Sequence, residues 1–151
     1  MNRAVVEAAM PALFAHEGVW DGVYRHLDPE GKLIDRHQAR VEVIYPDEGP
    51  PHYIQRNSFR WDDGRTNEVE LPGTFRDGKM WWDVATFHGS AWQTDSGLVL
   101  LHLFRKDLPG AWFWEVICPP TKAGIRARTW HWFDAEGRLI RRTLCDEKRV
   151  A

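Results

Sequence analysis

From Val19 onward, apolar and polar residues alternate with the period of two that marks a strand with one buried face. Lys32–Tyr45 shows it best. Leu33, His37, Ala39, Val41, Val43 and Tyr45 share one side, and Arg36, Gln38, Arg40 and Glu42 share the other. Only the leader differs. Val5, Ala8, Ala9, Ala12 and Leu13 recur at helical spacing, which predicts a short helix over about 3–15. Pro11 would kink it, and Gly18 is placed to end it.

Turn residues cut the remainder, about 19–149, into short strands. Asp28-Pro29-Glu30-Gly31, Asp63-Gly64, Asp77-Gly78, Ser96-Gly97 and Asp107-Leu108-Pro109-Gly110 each sit between alternating segments, as hairpin turns do. His88-Gly89 reads as a further turn. Asp134-Ala135-Glu136-Gly137-Arg138-Leu139-Ile140 echoes Asp28-Pro29-Glu30-Gly31-Lys32-Leu33-Ile34, which is shared turn chemistry rather than an internal repeat. The sum is about ten strands in hairpin succession with no helix between them. Ten sequential strands leave two open edges unless the first meets the last. The expectation is an all-β chain, a closed up-and-down antiparallel barrel preceded by a short N-terminal helix, in a single domain over 1–151. A barrel of that size encloses a cavity. One detail of register is left open. A bulged turn alone would set Trp20 against Arg40 and Tyr24 against Arg36, so an inward Trp20 needs a further bulge in one of the two strands.

Composition narrows the function. Twenty basic and 22 acidic residues are interspersed, for a net charge of −2. That balance excludes the basic face of a nucleic-acid binder. No apolar run reaches membrane-spanning length, and Glu7 and Pro11 interrupt any signal core, so the cytoplasm is expected. Cys118 and Cys145 have no metal or redox spacing and read as free thiols. Aromatic residues are abundant, with 9 Trp, 7 Phe and 3 Tyr. They suit either a β core or the lining of a cavity for a flat or greasy ligand.

Gly18-x-Trp20 after a leader helix, with a basic residue in the final strand (Arg141, Arg142 or Arg149), resembles the calycin group: lipocalins, fatty-acid-binding proteins and bacterial lipocalin-like barrels. The resemblance implies that Trp20 closes one barrel end beneath that arginine, a cation–π contact. Gly18-x-Trp20-x-Gly22 is also similar to the opening of nitrobindin-like barrels, which hold haem through one His. Their further alternating glycines and Tyr-Pro are missing here.

Candidate chemistry follows from the strand faces. No H-x-x-x-H or H-E-x-x-H spacing exists, so no local metal motif is present. His131 lies between Trp130 and Trp132, on the face with Ile125, Ala127, Thr129 and Phe133 that reads as interior. His102 sits among leucines, and His37 lies on an apolar face. These three are the base candidates, with Tyr53 or Tyr24 as acid. Tyr53, Gln55, Asn57, Phe59 and Trp61 share a face mixing aromatics with polar groups, as a pocket wall does. Trp82 and Trp114 complete the expected lining. If its face is inside, Arg128 or Arg142 could hold a ligand carboxylate. Glu115 is expected to face solvent, since burial without a partner is costly.

The leading expectation is a cytoplasmic barrel binding a small apolar or aromatic molecule without a cofactor. The rivals are a cofactor-independent isomerase, cyclase, dehydratase or lyase in the same cavity, a haem barrel with His131 as ligand, and a structural subunit whose Trp-rich faces form a homodimer.

Overall fold

A computed structural model describes residues 1–151. Ten antiparallel strands follow one another: β1 (Gly18–Leu27), β2 (Leu33–Ile44), β3 (Tyr53–Arg60), β4 (Thr66–Arg76), β5 (Lys79–Asp83), β6 (Phe87–Gln93), β7 (Val99–Arg105), β8 (Trp112–Ile117), β9 (Ile125–Phe133) and β10 (Leu139–Arg149). Each pairs with its sequence neighbour, and β1 pairs with β10 from Trp20↔Arg149 to Leu27↔Arg142. The expected closed up-and-down barrel is what forms. Closure leaves neither end strand with an open edge.

The first and last hairpin turns share one design. In the β1–β2 turn the Asp28 carboxylate accepts from the Glu30 and Lys32 N–H groups, and Gly31 N–H donates to the Asp28 carbonyl. Asp134 does the same for Glu136, Arg138 and Gly137 in the β9–β10 turn. The echo extends one step beyond the turn. Leu33 faces Leu27, but Asp35 faces His26, so Ile34 is an extra residue in β2. Leu139 faces Phe133 and Arg141 faces Trp132, so Ile140 is the extra residue in β10. These are the bulges that the turn alone did not supply. They set Trp20 against Val41, Tyr24 against His37, and Arg126 against Glu147. A one-residue slip exchanges the faces of a strand, so each bulge decides what lies inside.

One turn lies elsewhere than expected. Val84 N–H donates to the Phe87 carbonyl, so the β5–β6 reversal is at Val84–Thr86. His88 and Gly89 pair within the sheet instead. Gly89 serves close approach, because a Cβ there would lie 2.2 Å from the His102 carbonyl oxygen.

The leader forms two short helices, α1 (Asn2–Ala9) and α2 (Pro11–Phe14), broken at Met10. Pro11 opens α2, where its missing N–H has no intrahelical partner to lose. The buried stripe is Val6, Met10 and Leu13, whereas Val5 is exposed. Val6, Met10 and Leu13 are spaced i, i+4 and i+7, a helical face adjacent to the alanine-rich one that the sequence suggested. The leader closes the barrel end where β1 begins. Asn2 N–H reaches the Asp47 carbonyl, Ala12 N–H reaches Gln93 Oε1, and Tyr45 Oη donates to the Leu13 carbonyl. Neither helix is long and apolar enough to cross a membrane.

Trp20 is fully buried at this closed end. Its Nε1 donates to the His16 carbonyl at 3.0 Å. The guanidinium of Arg149, in the final strand, lies 4.6 Å from its ring, and that of Arg126 lies 4.2 Å away. Beside it, Gly22 faces Glu147. A Cβ at Gly22 would come within 2.5 Å of Glu147 Cγ and 2.6 Å of the Asp146 carbonyl oxygen. Gly22→Ala is therefore expected to lower the unfolding free energy by about 1–3 kcal/mol through overpacking. Urea denaturation compared with wild type measures it.

Candidate functional site

A cavity of about 420 Å³ occupies the barrel. Leu13 and His16 line it at the helical end, and Asp107 and Leu108 of the β7–β8 loop line it at the other. It also has a thin flank. The β4–β5 ladder covers only Thr74↔Trp81 to Arg76↔Lys79, and Pro72 has no N–H to continue it. Above that point β4 is bonded to β3 alone. Asn67, Val69 and Leu71 therefore line the cavity and yet remain accessible to solvent.

Four buried charges hold the deep end together. Arg126 Nε donates to Glu147 Oε1 at 2.7 Å, Arg128 Nε to Glu115 Oε2 at 2.9 Å, and Arg128 Nη1 to Glu147 Oε2 at 3.3 Å. Arg128 Nη1 also donates to Tyr24 Oη at 2.9 Å. Two cations meet two anions, so the group is neutral as a whole. Burial pushes the Glu147 carboxyl up, but Arg128 and Arg126 outweigh it and hold it below the usual range. Burial raises the Tyr24 hydroxyl, which stays protonated. Truncating one member of such a buried pair leaves a charge uncompensated, at a cost of about 3–5 kcal/mol.

His16 completes this end. Arg126 Nη1 lies 3.2 Å from its Nδ1. A guanidinium only donates, so Nδ1 accepts and the proton sits on Nε2, which has no partner. Burial and the charges of Arg126, Arg128 and Arg149 lower its pKa to about 3.

A second cluster stands further along β1 and β2. His37 Nδ1 is 2.8 Å from Asp35 Oδ2, and Trp61 Nε1 donates to Asp35 Oδ1 at 2.9 Å. His26 Nδ1 is 2.7 Å from Thr143 Oγ1, which accepts from Trp132 Nε1 at 2.9 Å. Burial, then Arg141 and His37, lower the pKa of His26 to about 4. His37 packs between aromatics, with ring centroids 4.5 Å from Trp61 and 5.0 Å from Tyr24. Donor atoms of His26, Asp35 and His37 lie within 4.8 Å of one another. Both Nδ1 atoms and both Asp35 oxygens are already hydrogen-bonded, so the cluster is not a ready chelate.

No family model matches this chain, and no curated protein matches it in sequence. Solved structures do match. A DUF3598-family protein from Nostoc punctiforme superposes with TM-score 0.69 at 18% identity, covering 90% of this chain and 48% of its own. The chain thus spans about half the length of that protein. An S-type phycobiliprotein lyase from Guillardia theta gives TM-score 0.71 at 15% identity, covering 91% and 89%. Rv2717c from M. tuberculosis gives 0.61 at 13%, covering 95% and 98%. At such identities the likeness is one of fold: a ten-strand barrel of the kind these proteins share.

Of the residues singled out from sequence, Tyr24, His37, Tyr53, Asn57, Trp61, Trp82 and Arg128 line the cavity. Three do not. His131 is exposed on the outside of β9, with Ile125, Ala127, Thr129 and Phe133. The face expected to be interior is the outer one, because Arg126 and Arg128 find their counter-charges inside. His131 therefore cannot reach a group held in the cavity, which removes the haem ligand proposed for it. His102 and Trp114 are also on the outer wall, their rings stacked at 3.9 Å, with Trp114 40% exposed. Glu115, expected to face solvent, is buried against Arg128. Arg128 itself is already neutralised, so it is not a vacant anchor for a ligand carboxylate. Sequence reading passed over His16, His26, Asp35, Arg126 and Glu147 as site residues. The bulges at Ile34 and Ile140 would have pointed to Asp35 and Glu147.

The histidines make stability depend on pH. His16 and His26 have folded values of about 3 and about 4, against the ordinary histidine value of 6.5. Between these limits the unfolded chain binds protons that the folded chain refuses, so stability falls as pH drops below 6.5. Each histidine is expected to contribute a slope of about 1 kcal/mol per pH unit between pH 6 and 5. Denaturant unfolding at several pH values measures it, and His16→Gln should flatten the curve by one such share.

Proposed function

We propose that the barrel binds a small, flat, uncharged aromatic or apolar molecule. The observation that carries this is a cavity walled by Tyr24, Phe59, Trp82, Phe113, Trp130 and Trp132 whose two buried arginines, Arg126 and Arg128, are already matched by two glutamates; of the two arginines at the far end, Arg105 is paired with Asp107 and Arg141 lies over the Trp132 ring. A ligand carboxylate would compete with Glu115 or Glu147 and leave one of them unpaired, which is costly in a buried site. A neutral ligand meets no such conflict. Polar groups remain to orient it. Tyr53 Oη donates to Gln55 Oε1, and Gln55 Nε2 donates to Asn57 Oδ1, which leaves the Asn57 amide N–H groups for a ligand acceptor. Tyr24 accepts from Arg128 and keeps its own hydrogen to donate. The near-balanced charge and two free thiols support a cytoplasmic setting.

A second reading concerns the outer wall of β6–β9. There His88, Phe104, His102, Trp114 and Trp92 form a run of ring contacts on the solvent side. This aromatic face is where a homodimer would pack. Trp114→Glu is then expected to lower the sedimentation coefficient from dimer to monomer without changing ligand affinity. A wild-type chain that sediments as a monomer at high concentration rejects the dimer.

Titration of intrinsic Trp fluorescence tests the first reading. Neutral bicyclic and tricyclic aromatics are expected to quench saturably, with fatty acids and haem weaker by at least about tenfold, a difference of 1.4 kcal/mol. Preferential binding of fatty acids would refute the uncharged ligand.

A further inference from the structure

The hydrogen bonds around His26 and His37 give the two imidazoles opposite roles. Asp35 is a carboxylate, held below its ordinary range by His37, Trp61 and His26 against the opposing effect of burial. It can only accept, so His37 carries its proton on Nδ1 and presents a bare Nε2. Thr143 is fully buried. Its oxygen accepts from Trp132, and its own hydrogen has His26 Nδ1 as its acceptor. His26 therefore carries its proton on Nε2. One ring offers a lone pair and the other an N–H. Both line the cavity, with centroids 5.6 Å apart.

We propose that this pair is an acid–base site that moves a proton on a carbon acid: His37 Nε2 is the general base, Asp35 positions it, and His26 Nε2–H donates to the oxygen that gains charge. This rests on the ligand-binding reading above and narrows it to a substrate class, an uncharged β,γ-unsaturated ketone. In the first step a C–H bond next to the carbonyl breaks. The proton goes to His37 Nε2, the electron pair forms C=C, and the carbonyl oxygen becomes an enolate oxygen under the His26 hydrogen bond. In the second step His37 returns the proton to the far carbon of the conjugated system and C=O re-forms. The product is an isomer. Nothing is oxidised or reduced, and no co-reactant is consumed.

The surroundings suit the step. His37 lies against Tyr24, Phe59 and Trp61, which exclude water. The titratable or charged groups around the pair are Tyr24 and His26 from β1, Asp35 from β2 and Arg141 from β10. His26 is neutral at pH 7, so it donates without bringing a second proton into the site.

5-Nitrobenzisoxazole is a suitable probe, being flat, neutral and aromatic. A base removes its ring C–H, the electron pair forms the nitrile, and the N–O bond breaks to open the ring, giving a coloured cyanophenolate as the single product. Binding is read separately by Trp quenching. The wild type is expected to turn the probe over with saturation. His37→Ala should lower kcat by about 10²-fold with little change in binding. Asp35→Asn should lower kcat with little change in probe binding, and Asp35→Glu should restore part of the rate. A merely structural role would weaken binding together with kcat. His131→Ala, on the outer wall, should match wild type. Saturable binding with a rate equal to that of His37→Ala would overturn the acid–base site and leave the binding reading standing. Absence of saturable quenching by the probe and by the neutral aromatic panel would overturn both.

Discussion

Two guanidinium groups, those of Arg126 and Arg128, are buried deep inside this barrel, and each has to be neutralised there. Moving a charge out of water costs several kcal/mol even after relaxation. Glu115 and Glu147 meet that cost, from β8 and β10, on either side of the strand that carries Arg126 and Arg128. Much else is arranged around this requirement. Gly22 leaves the room that Glu147 occupies. Trp20 packs below Arg126, and His16 stays neutral to accept from it. The leader helices cover the end at which the network sits.

The consequence for ligands is a division of labour along the barrel axis. The deep end is polar but balanced, and it rejects a net charge. The walls are aromatic and favour a flat molecule. Nearer the turns at the far end stand two histidines whose protons are fixed by Asp35 and Thr143 rather than by solvent. Shape, charge and reactivity are thus set largely by different residues, and Tyr24 is the side chain that touches all three.

The succession of strands was legible because its signals are local. Alternation and glycine-bearing turns are read within a few residues, and they gave the ten strands and their closure, with only the β5–β6 turn placed too late. The inner face of β9 was not legible for the opposite reason. Arg126-x-Arg128 looks like a solvated stripe until Glu115 and Glu147 are brought beside it, 13 and 19 residues from Arg128. Ion pairing between strands is a property of the closed barrel and leaves no pattern in either strand alone. His102, His131 and Trp114 were assigned inward for having apolar neighbours, but the outer wall of β6–β9 is aromatic too. The helical stripe was misplaced by one residue because Val5, Ala8, Ala9, Ala12 and Leu13 and the observed Val6, Met10 and Leu13 both fit the helical period, and the small alanines do not mark the buried face.

The bulges at Ile34 and Ile140 give each hairpin something like a reading frame. Downstream of each extra residue, every other side chain is delivered to the cavity, and the intervening set is delivered to solvent. In β10 one set contains Thr143, Cys145 and Glu147, and the other contains Arg142, Leu144 and Asp146. Losing or gaining one codon at the turn would exchange the sets wholesale, replacing the interior chemistry of a strand in one mutational event. Barrels of this architecture can therefore diverge in what they hold by small insertions next to turns, long before their strand sequences have drifted apart.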